Sequence, residues 1–175
     1  ERLRQGQVPF FEPGLSELVC QGVSEDLLTF TDNTQTAVQD SDYLFICVGT
    51  PAGDDGSADL SYIENVARAI GSHISSDAVV VNKSTVPVGT SVQVAKWLGR
   101  EDISVVSNPE FLRQGTALQD FLHPNRIVVG GDNTTAVEKV ASLYSKIDAP
   151  ILRMNAASAE ALKYAANSFL ATKLT

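Results

Sequence analysis

The sequence predicts an α/β fold built on a mostly parallel sheet with flanking helices, and three observations carry that prediction. Short apolar, β-branched runs alternate with helical patterns along nearly all of the 175 residues. Three of those runs are continuously apolar instead of alternating, as expected of strands covered on both faces. Repetition of strand, helix and strand implies right-handed crossovers between parallel neighbours.

The elements follow in order. Strands are predicted at "LTFT" (28–31), "YLFICV" (43–48), "AVVVNKS" (78–84), "ISVVS" (103–107), "RIVVG" (126–130) and "PILRM" (150–154). Between them, Ile63, Val66, Ala67, Ile70 and Ile74 fall on one helical face, and Val137, Val140, Tyr144 and Ile147 on another. Ser61 with Glu64, Thr90 with Gln93 and Thr135 with Glu138 have capping-box spacing, which predicts helix starts at Ser61, Thr90 and Thr135. For Thr90 this capping role is a sufficient account. "ERLRQG" reads as the last turn of a helix closing on Gly6, and "ASAEALKYAANSFLATKLT" as a helix without a stop signal, so the chain is expected to be a piece of something longer.

Bulk properties narrow the function. A hydrophobic content of 43% with 19% charged residues suits a folded globular chain. A net charge of −8 argues against nucleic-acid partners, which call for clustered Lys and Arg. No apolar run approaches the ~20 residues that cross a bilayer, so no membrane partner is expected. Cys20 and Cys47 make no disulfide framework; both are expected to be buried structural thiols in a reduced, cytoplasmic setting. No cluster has zinc spacing, and "GDDGSAD" lacks the EF-hand ligand pattern, so no metal site is predicted.

The chemistry is expected beyond the carboxyl ends of the strands, where open parallel sheets bind ligands. "YLFICV" runs into Gly49-Thr50-Pro51, "AVVVNK" into Ser84-Thr85-Val86-Pro87, and "ISVVS" into Asn108-Pro109-Glu110. Glycine, proline and small hydroxyls there end the strand and let a ligand approach the backbone. Thr85 and Glu110 are odd choices for plain turns. Glu110 in particular is a lone acid set against Phe111 and Leu112, where lost solvation would favour a proton-accepting role. Near the end of the chain, Lys163 and Asn167 share one helical face, with Glu160 a turn earlier. In surroundings almost devoid of charge, Lys163 and Asn167 could donate to a developing oxyanion, at about 3 kcal/mol per well-placed donor. No G-x-G-x-x-G occurs, so the usual pyrophosphate fingerprint cannot be cited.

Taken together, "PFFEPGLSELV", "FICVGTPAGDDGSADLSYI", "VVNKSTVPVGT", "SNPEFLRQGTALQDFLHPNRIVVGG" and "SAEALKYAANSFLATK" resemble the nucleotide-sugar 6-dehydrogenases of the UDP-glucose/GDP-mannose dehydrogenase family, in order and over essentially the whole chain. The resemblance implies a Rossmann-like NAD-binding domain over 1–154, lacking its first βαβ part and its glycine fingerprint. Residues 155–175 would begin a long central helix that mediates dimerisation, and the C-terminal UDP-binding domain would be absent. It implies NAD as cofactor, lined by Val48, Gly49, Thr50, Pro51, Ala52, Ser84, Thr85 and Val86, with Thr85 also holding a catalytic water. Glu110 would be the acid/base, Phe111 and Leu112 would contact substrate through their backbone, and Lys163 and Asn167 would face the sugar.

The activity so implied is oxidation of a sugar CH₂OH to a carboxylate in two hydride transfers through a cysteine thiohemiacetal and thioester. The cysteine would lie outside this chain, matching neither Cys20 nor Cys47, and the chain alone would be inactive. "STVPVGT" and "DGSADLSYI" favour UDP-glucose as substrate, with GDP-mannose or a UDP-N-acetylhexosamine as the alternative. The resemblance also implies a homodimer or higher homo-oligomer for the full-length protein. Where many relatives have a second glutamate this chain has Gln114, which cannot accept a proton at neutral pH and is given no catalytic role. From another class, a nucleotide-binding module without catalysis is also open, although it would have no use for Glu110, Lys163 and Asn167.

Overall fold

The structure, a computed structural model, describes residues 1–174. It is the expected α/β sandwich. Five strands, β1 (Tyr43–Ile46), β2 (Val79–Asn82), β3 (Ser104–Ser107), β4 (Ile127–Gly130) and β5 (Ile151–Met154), lie side by side in chain order. All neighbours pair in parallel except β3 and β4, which meet antiparallel through the single pair Ser107↔Gly130. The helices are α1 (Leu15–Ser24), α2 (Thr34–Gln39), α3 (Ser61–Gly71), α4 (Thr90–Leu98), α5 (Ala117–Leu122), α6 (Thr134–Ser142) and α7 (Ala156–Leu174). "ERLRQG" is a short 3-10 turn, Leu3–Gln5, closed by Gly6 in the left-handed region.

The period of two along β2 divides the core between the faces of the sheet. Val80 joins Ile46, Ile63, Ala67, Ile70 and Val94 beneath α3 and α4. Val79 and Val81 point the other way, joining Val106, Val129, Val137 and Val140 beneath α6. The helical faces anticipated from Ile63, Ala67, Ile70 and Val137, Val140 are therefore the buried ones.

Three local expectations are corrected. The predicted strand at 28–31 does not form. It has no regular secondary structure and pairs with no strand among the described residues; its Phe30 carbonyl accepts instead from Arg4 Nε (3.1 Å). An apolar, β-branched run becomes a strand only with a ladder partner.

None of the three capping boxes is used either. Helix α3 is capped at Leu60 and α4 at Gly89, neither with a side-chain bond, while α6 is capped by Asn133, whose side chain accepts from Ala136 N–H. Asn33 does the same for α2. Ser61 and Thr90 are instead the first helical residues, and Thr135 lies in the first turn of α6. Finally, Cys20 and Cys47 are both exposed, not buried. Cys47 lies just past the last residue of β1, and Cys20 lies within α1 beside Val19, the buried residue of that helix.

The missing cap of α4 is supplied from far away. Gly89 has φ +95°, a conformation that excludes most side chains, and cannot cap itself. Glu160 in α7 does so instead: its carboxylate accepts from Gly89 N–H (2.6 Å), Ser91 N–H (2.7 Å) and Ser91 Oγ (2.6 Å). Glu160 is only 2% exposed, and the unsatisfied N–H groups and the helix dipole favour an anion there. At its other contact α7 lies so close to β4 that a Cβ on Gly130 would stand 2.5 Å from that of Ala159.

Replacing Glu160 by Gln should therefore destabilise the chain by about 3 kcal/mol, because an amide presents an N–H₂ to donors that need an acceptor and leaves one of them unpaired. Urea unfolding measures it: the midpoint falls with an unchanged m-value, and an unchanged midpoint would contradict the cap.

Candidate functional site

The tips of β1 and β2 form one strip. Ser84 Oγ donates to the Val48 carbonyl (2.7 Å), and Thr50 Oγ1 donates to the Thr85 carbonyl (2.8 Å). The two hydroxyls thus clasp the loop after β1 to the loop after β2, which brings Val48, Gly49, Thr50, Pro51 and Ala52 beside Ser84, Thr85 and Val86. Gly49 is exposed, and a Cβ there would meet nothing within 4 Å, so the strip keeps open space above its backbone. Val86 differs from its neighbours: its side chain is packed in the core under α3 and α4, so it can offer a ligand only its main chain.

The tip of β3 opens a second, deeper feature. A cleft of about 590 Å³ lies between the β3 tip, the segment 120–127 and α7. Glu110, Phe111, Leu112, Lys163 and Asn167 all line it, so the structure gathers these five predicted residues in one place. Thr85, Ser84 and the 48–52 loop do not line it. Lys83, at the junction, links the two: its backbone belongs to the β2 tip and its side chain lines the cleft.

Glu110 keeps different company from what its sequence neighbours suggest. Lys163 Nζ donates to its Oε1 (3.1 Å), Leu112 N–H donates to its Oε2, and the side chain retains 30% exposure. It is a paired carboxylate at the mouth of a cleft, not one crowded by apolar groups. Lys163, 6% exposed, also stands over the Phe111 ring at 5.2 Å, while Arg126 covers that ring at 4.4 Å. Glu160 and Lys163 do not pair with each other. One turn of α7 sends the carboxylate to α4 and the ammonium into the cleft.

Several contributors escaped the sequence. Asn108, noted there only as a strand stop, is 1% exposed and ties β3 to β4 by donating from Nδ2 to the Val128 carbonyl (2.7 Å). Tyr144, assigned to an apolar helical face, donates its hydroxyl to Asn108 Oδ1. Burial above all, then the nearby Cys47, pushes the phenol up to about 12, against the lowering effect of that hydrogen bond. Burial pushes the Lys83 ammonium down, opposed by Cys47 and Glu110 and aided by Lys163. Glu12 accepts from Gly115 N–H (2.8 Å) and Leu118 N–H (3.3 Å), anchoring the wall that follows Glu110.

The signal for Lys83 was present: a lone cation after "AVVVN" is as conspicuous as a lone acid after "SVVSNP". Neighbouring atoms crowd the Cys47 thiol enough to push its pKa up although the residue presents surface to solvent; the Lys83 charge only partly offsets this. A thiol held protonated is a poor nucleophile. Gln114 is exposed and lies outside the cleft.

Comparison with known proteins places the chain. Residues 1–148 match the NAD-binding domain of the UDP-glucose/GDP-mannose dehydrogenase family. UDP-glucose 6-dehydrogenase TuaD of Bacillus subtilis is 44% identical over 178 residues, covering 99% of this chain and 39% of that protein. The UDP-glucose 6-dehydrogenase of Rhizobium meliloti is 45% identical, covering 99% and 42%. Among solved structures, a UDP-glucose dehydrogenase from Pyrobaculum islandicum superposes with a TM-score of 0.92 at 46% identity, over 97% of this chain and 41% of that one. A GDP-mannose dehydrogenase from Pseudomonas aeruginosa gives 0.93 at 38% identity, over 99% and 42%. The chain thus spans about two fifths of the length of these relatives.

One wall of the cleft titrates. Arg113 donates twice from its guanidinium to Asp120, which holds that carboxyl down at about 2. A depressed carboxyl stabilises the fold above its ordinary range and loses that contribution as pH falls from about 4 towards 2. Asp120→Asn should therefore melt below the parent chain at pH 6, with the two melting temperatures converging as the pH is lowered to 2. A constant gap across that range would contradict the pairing.

Proposed function

Because the chain belongs to the UDP-glucose/GDP-mannose dehydrogenase family and carries its NAD-binding domain, we propose that in the full-length protein it supplies the cofactor strip and the acid/base side of a nucleotide-sugar 6-dehydrogenase acting on UDP-glucose. The observation that carries this reading is the Glu110–Lys163 pair at 3.1 Å, lining one cleft with Asn167. A module that only bound nucleotide would gain nothing from a carboxylate and an ammonium held in register at the cleft mouth, and would lose the solvation of both.

The clasped strip suits NAD: it offers open backbone at Gly49, where a Cβ would meet nothing within 4 Å, between loops held together by Ser84 and Thr50. Val48, Gly49, Thr50, Pro51, Ala52, Ser84, Thr85 and the main chain of Val86 would hold the cofactor, which supplies a hydride acceptor when bound. The chain's own side chains do the rest. Glu110 takes the proton from the alcohol or from water and returns it later. Lys163 and Asn167 donate to the oxyanions of the thiohemiacetal and of the hydrolysis intermediate, charges that exist only on the reaction path. Thr85, on the strip two residues past Lys83 and outside the cleft lining, would hold the hydrolytic water from the cofactor side. The nucleophilic cysteine comes from outside the chain, consistent with a Cys47 thiol pushed upward by burial. A homodimer or higher homo-oligomer, with residues 155–175 in the central helix, completes the proposal.

GDP-mannose is the second substrate reading, supported by the fold shared with a GDP-mannose dehydrogenase at a TM-score of 0.93. Initial rates of NADH formation with each sugar nucleotide separate the two, and the isolated 175-residue chain should give none with either.

In the full-length protein, Glu110→Gln should slow thioester hydrolysis more than the first oxidation. A covalent enzyme–sugar adduct would then accumulate, visible by intact mass; both steps slowed equally without an adduct would refute the role. Lys163→Ala should lower kcat by about 10²-fold or more, whereas a change confined to KM would reduce Lys163 to ground-state binding.

A further inference from the structure

Lys83 is the unexplained charge of the cleft. The period of two that places Val79 and Val81 towards α6 also sends the Lys83 side chain that way. Among the described residues no carboxylate comes within ion-pairing distance of its Nζ. Its partners are neutral: Asn108 Oδ1 at 3.2 Å, the Asn108 carbonyl at 3.4 Å, and the Tyr144 ring at 6.0 Å. Glu110 and Cys47 act on it only from beyond ion-pair distance, and a desolvated ammonium without a direct counter-ion is costly.

What the ammonium holds is the root of the β3 tip. Asn108 Oδ1 accepts from both Lys83 and Tyr144, and Asn108 Nδ2 donates to Val128, so the side chain cannot rotate without breaking three bonds. The Asn108 carbonyl that Lys83 also grips belongs to the peptide leading into Pro109, whose φ is fixed by its ring. Glu110 follows directly. Its carboxylate must meet Lys163 from another element, and a small swing at Asn108 would part them.

We infer that Lys83 is a positioning residue for Glu110, acting through the Asn108 carbonyl and side chain to hold the turn that presents the carboxylate to Lys163. This rests on the reading of Glu110 as the acid/base. Charged and titratable groups facing this network are Glu110 and Lys163 in the cleft, Cys47 at the β1 tip and Tyr144 beyond α6.

The test is a double-mutant cycle in the full-length protein, read as NADH formation. Lys83→Met should lower kcat by about tenfold or more through misplacement, with KM for the sugar nucleotide kept within about twofold. Lys83→Arg, which keeps the charge, should recover most of the loss. In a Glu110→Gln background Lys83→Met should cost less than about a further twofold, since the group it serves is already gone. A kcat unchanged by Lys83→Met, or losses that multiply in the double mutant, overturns the inference. If Lys83→Met does not fold, Tyr144→Phe replaces it. Losing the other donor to Asn108 should cost about fivefold in kcat, again absorbed by Glu110→Gln, and an unaltered kcat overturns the inference equally. A Glu110→Gln enzyme of full activity would instead sink the assignment of Glu110 itself, whatever Lys83 does.

Discussion

The Glu160 carboxylate on the first turn of α4 is the contact from which the geometry of the site follows. It joins two elements about seventy residues apart in the chain, accepting three hydrogen bonds where α4 has donors and no cap of its own. With that end fixed, and with Gly130 admitting Ala159 against β4, α7 has little freedom to slide or roll on the sheet. One turn later the same helix presents Lys163, and a turn after that Asn167, both to the cleft. A buried carboxylate with good donors thus does its work at a distance. It sets the register of the helix that carries the cationic half of the site.

The opposite half is built by similar means. Glu110 sits just past the last paired residue of β3, and what fixes it is a set of buried polar contacts instead of further strand. Asn108 bolts β3 to β4 where the ladder has a single pair, and Glu12 secures the wall downstream at Gly115 and Leu118. Apolar packing could hold these segments near one another, but it is non-directional. Hydrogen bonds to carboxylates and amides impose angles, and leaving any partner unpaired when buried is costly, so the alternatives are few.

How legible this was in the sequence depends on the range of the cause. The five strands are read from local runs such as "VVVN" and "IVVG", whose burial on both faces is an intrinsic consequence of composition. "LTFT" has the same local character and fails, because pairing is a property of neighbours. The helices begin at or beside the expected Ser61, Thr90 and Thr135, but the capping chemistry assigned to them fails for a related reason. Thr90 looks like a cap, yet the donors of α4 are answered by a residue in α7, which no window around Thr90 contains. Glu110, Lys163 and Asn167 could be picked out as polar residues in apolar text. Which of them meet, and that Thr85 stands outside their cleft, is tertiary. Lys83 in "VVVNKS" carries the same local signal as Glu110, but its grip on Asn108, 25 residues away, is tertiary.

The pairing of Glu110 with Lys163 also changes what the strand end is for. A carboxylate sunk among apolar side chains would have its behaviour set by desolvation, a property of one loop. A carboxylate shared between the tip of β3 and a lysine of α7 has its position set by whether two elements are docked together. On the proposed reading, acid/base group and oxyanion donors would become competent together, because the same helix position brings the Lys163 ammonium to both tasks. Any change that loosens Glu160 from α4 acts on the surroundings of Glu110 without touching it, and any change at Asn108 acts on the Glu110–Lys163 contact in the same indirect way. The stability of the fold and the chemistry of the cleft rest on the same few buried polar contacts.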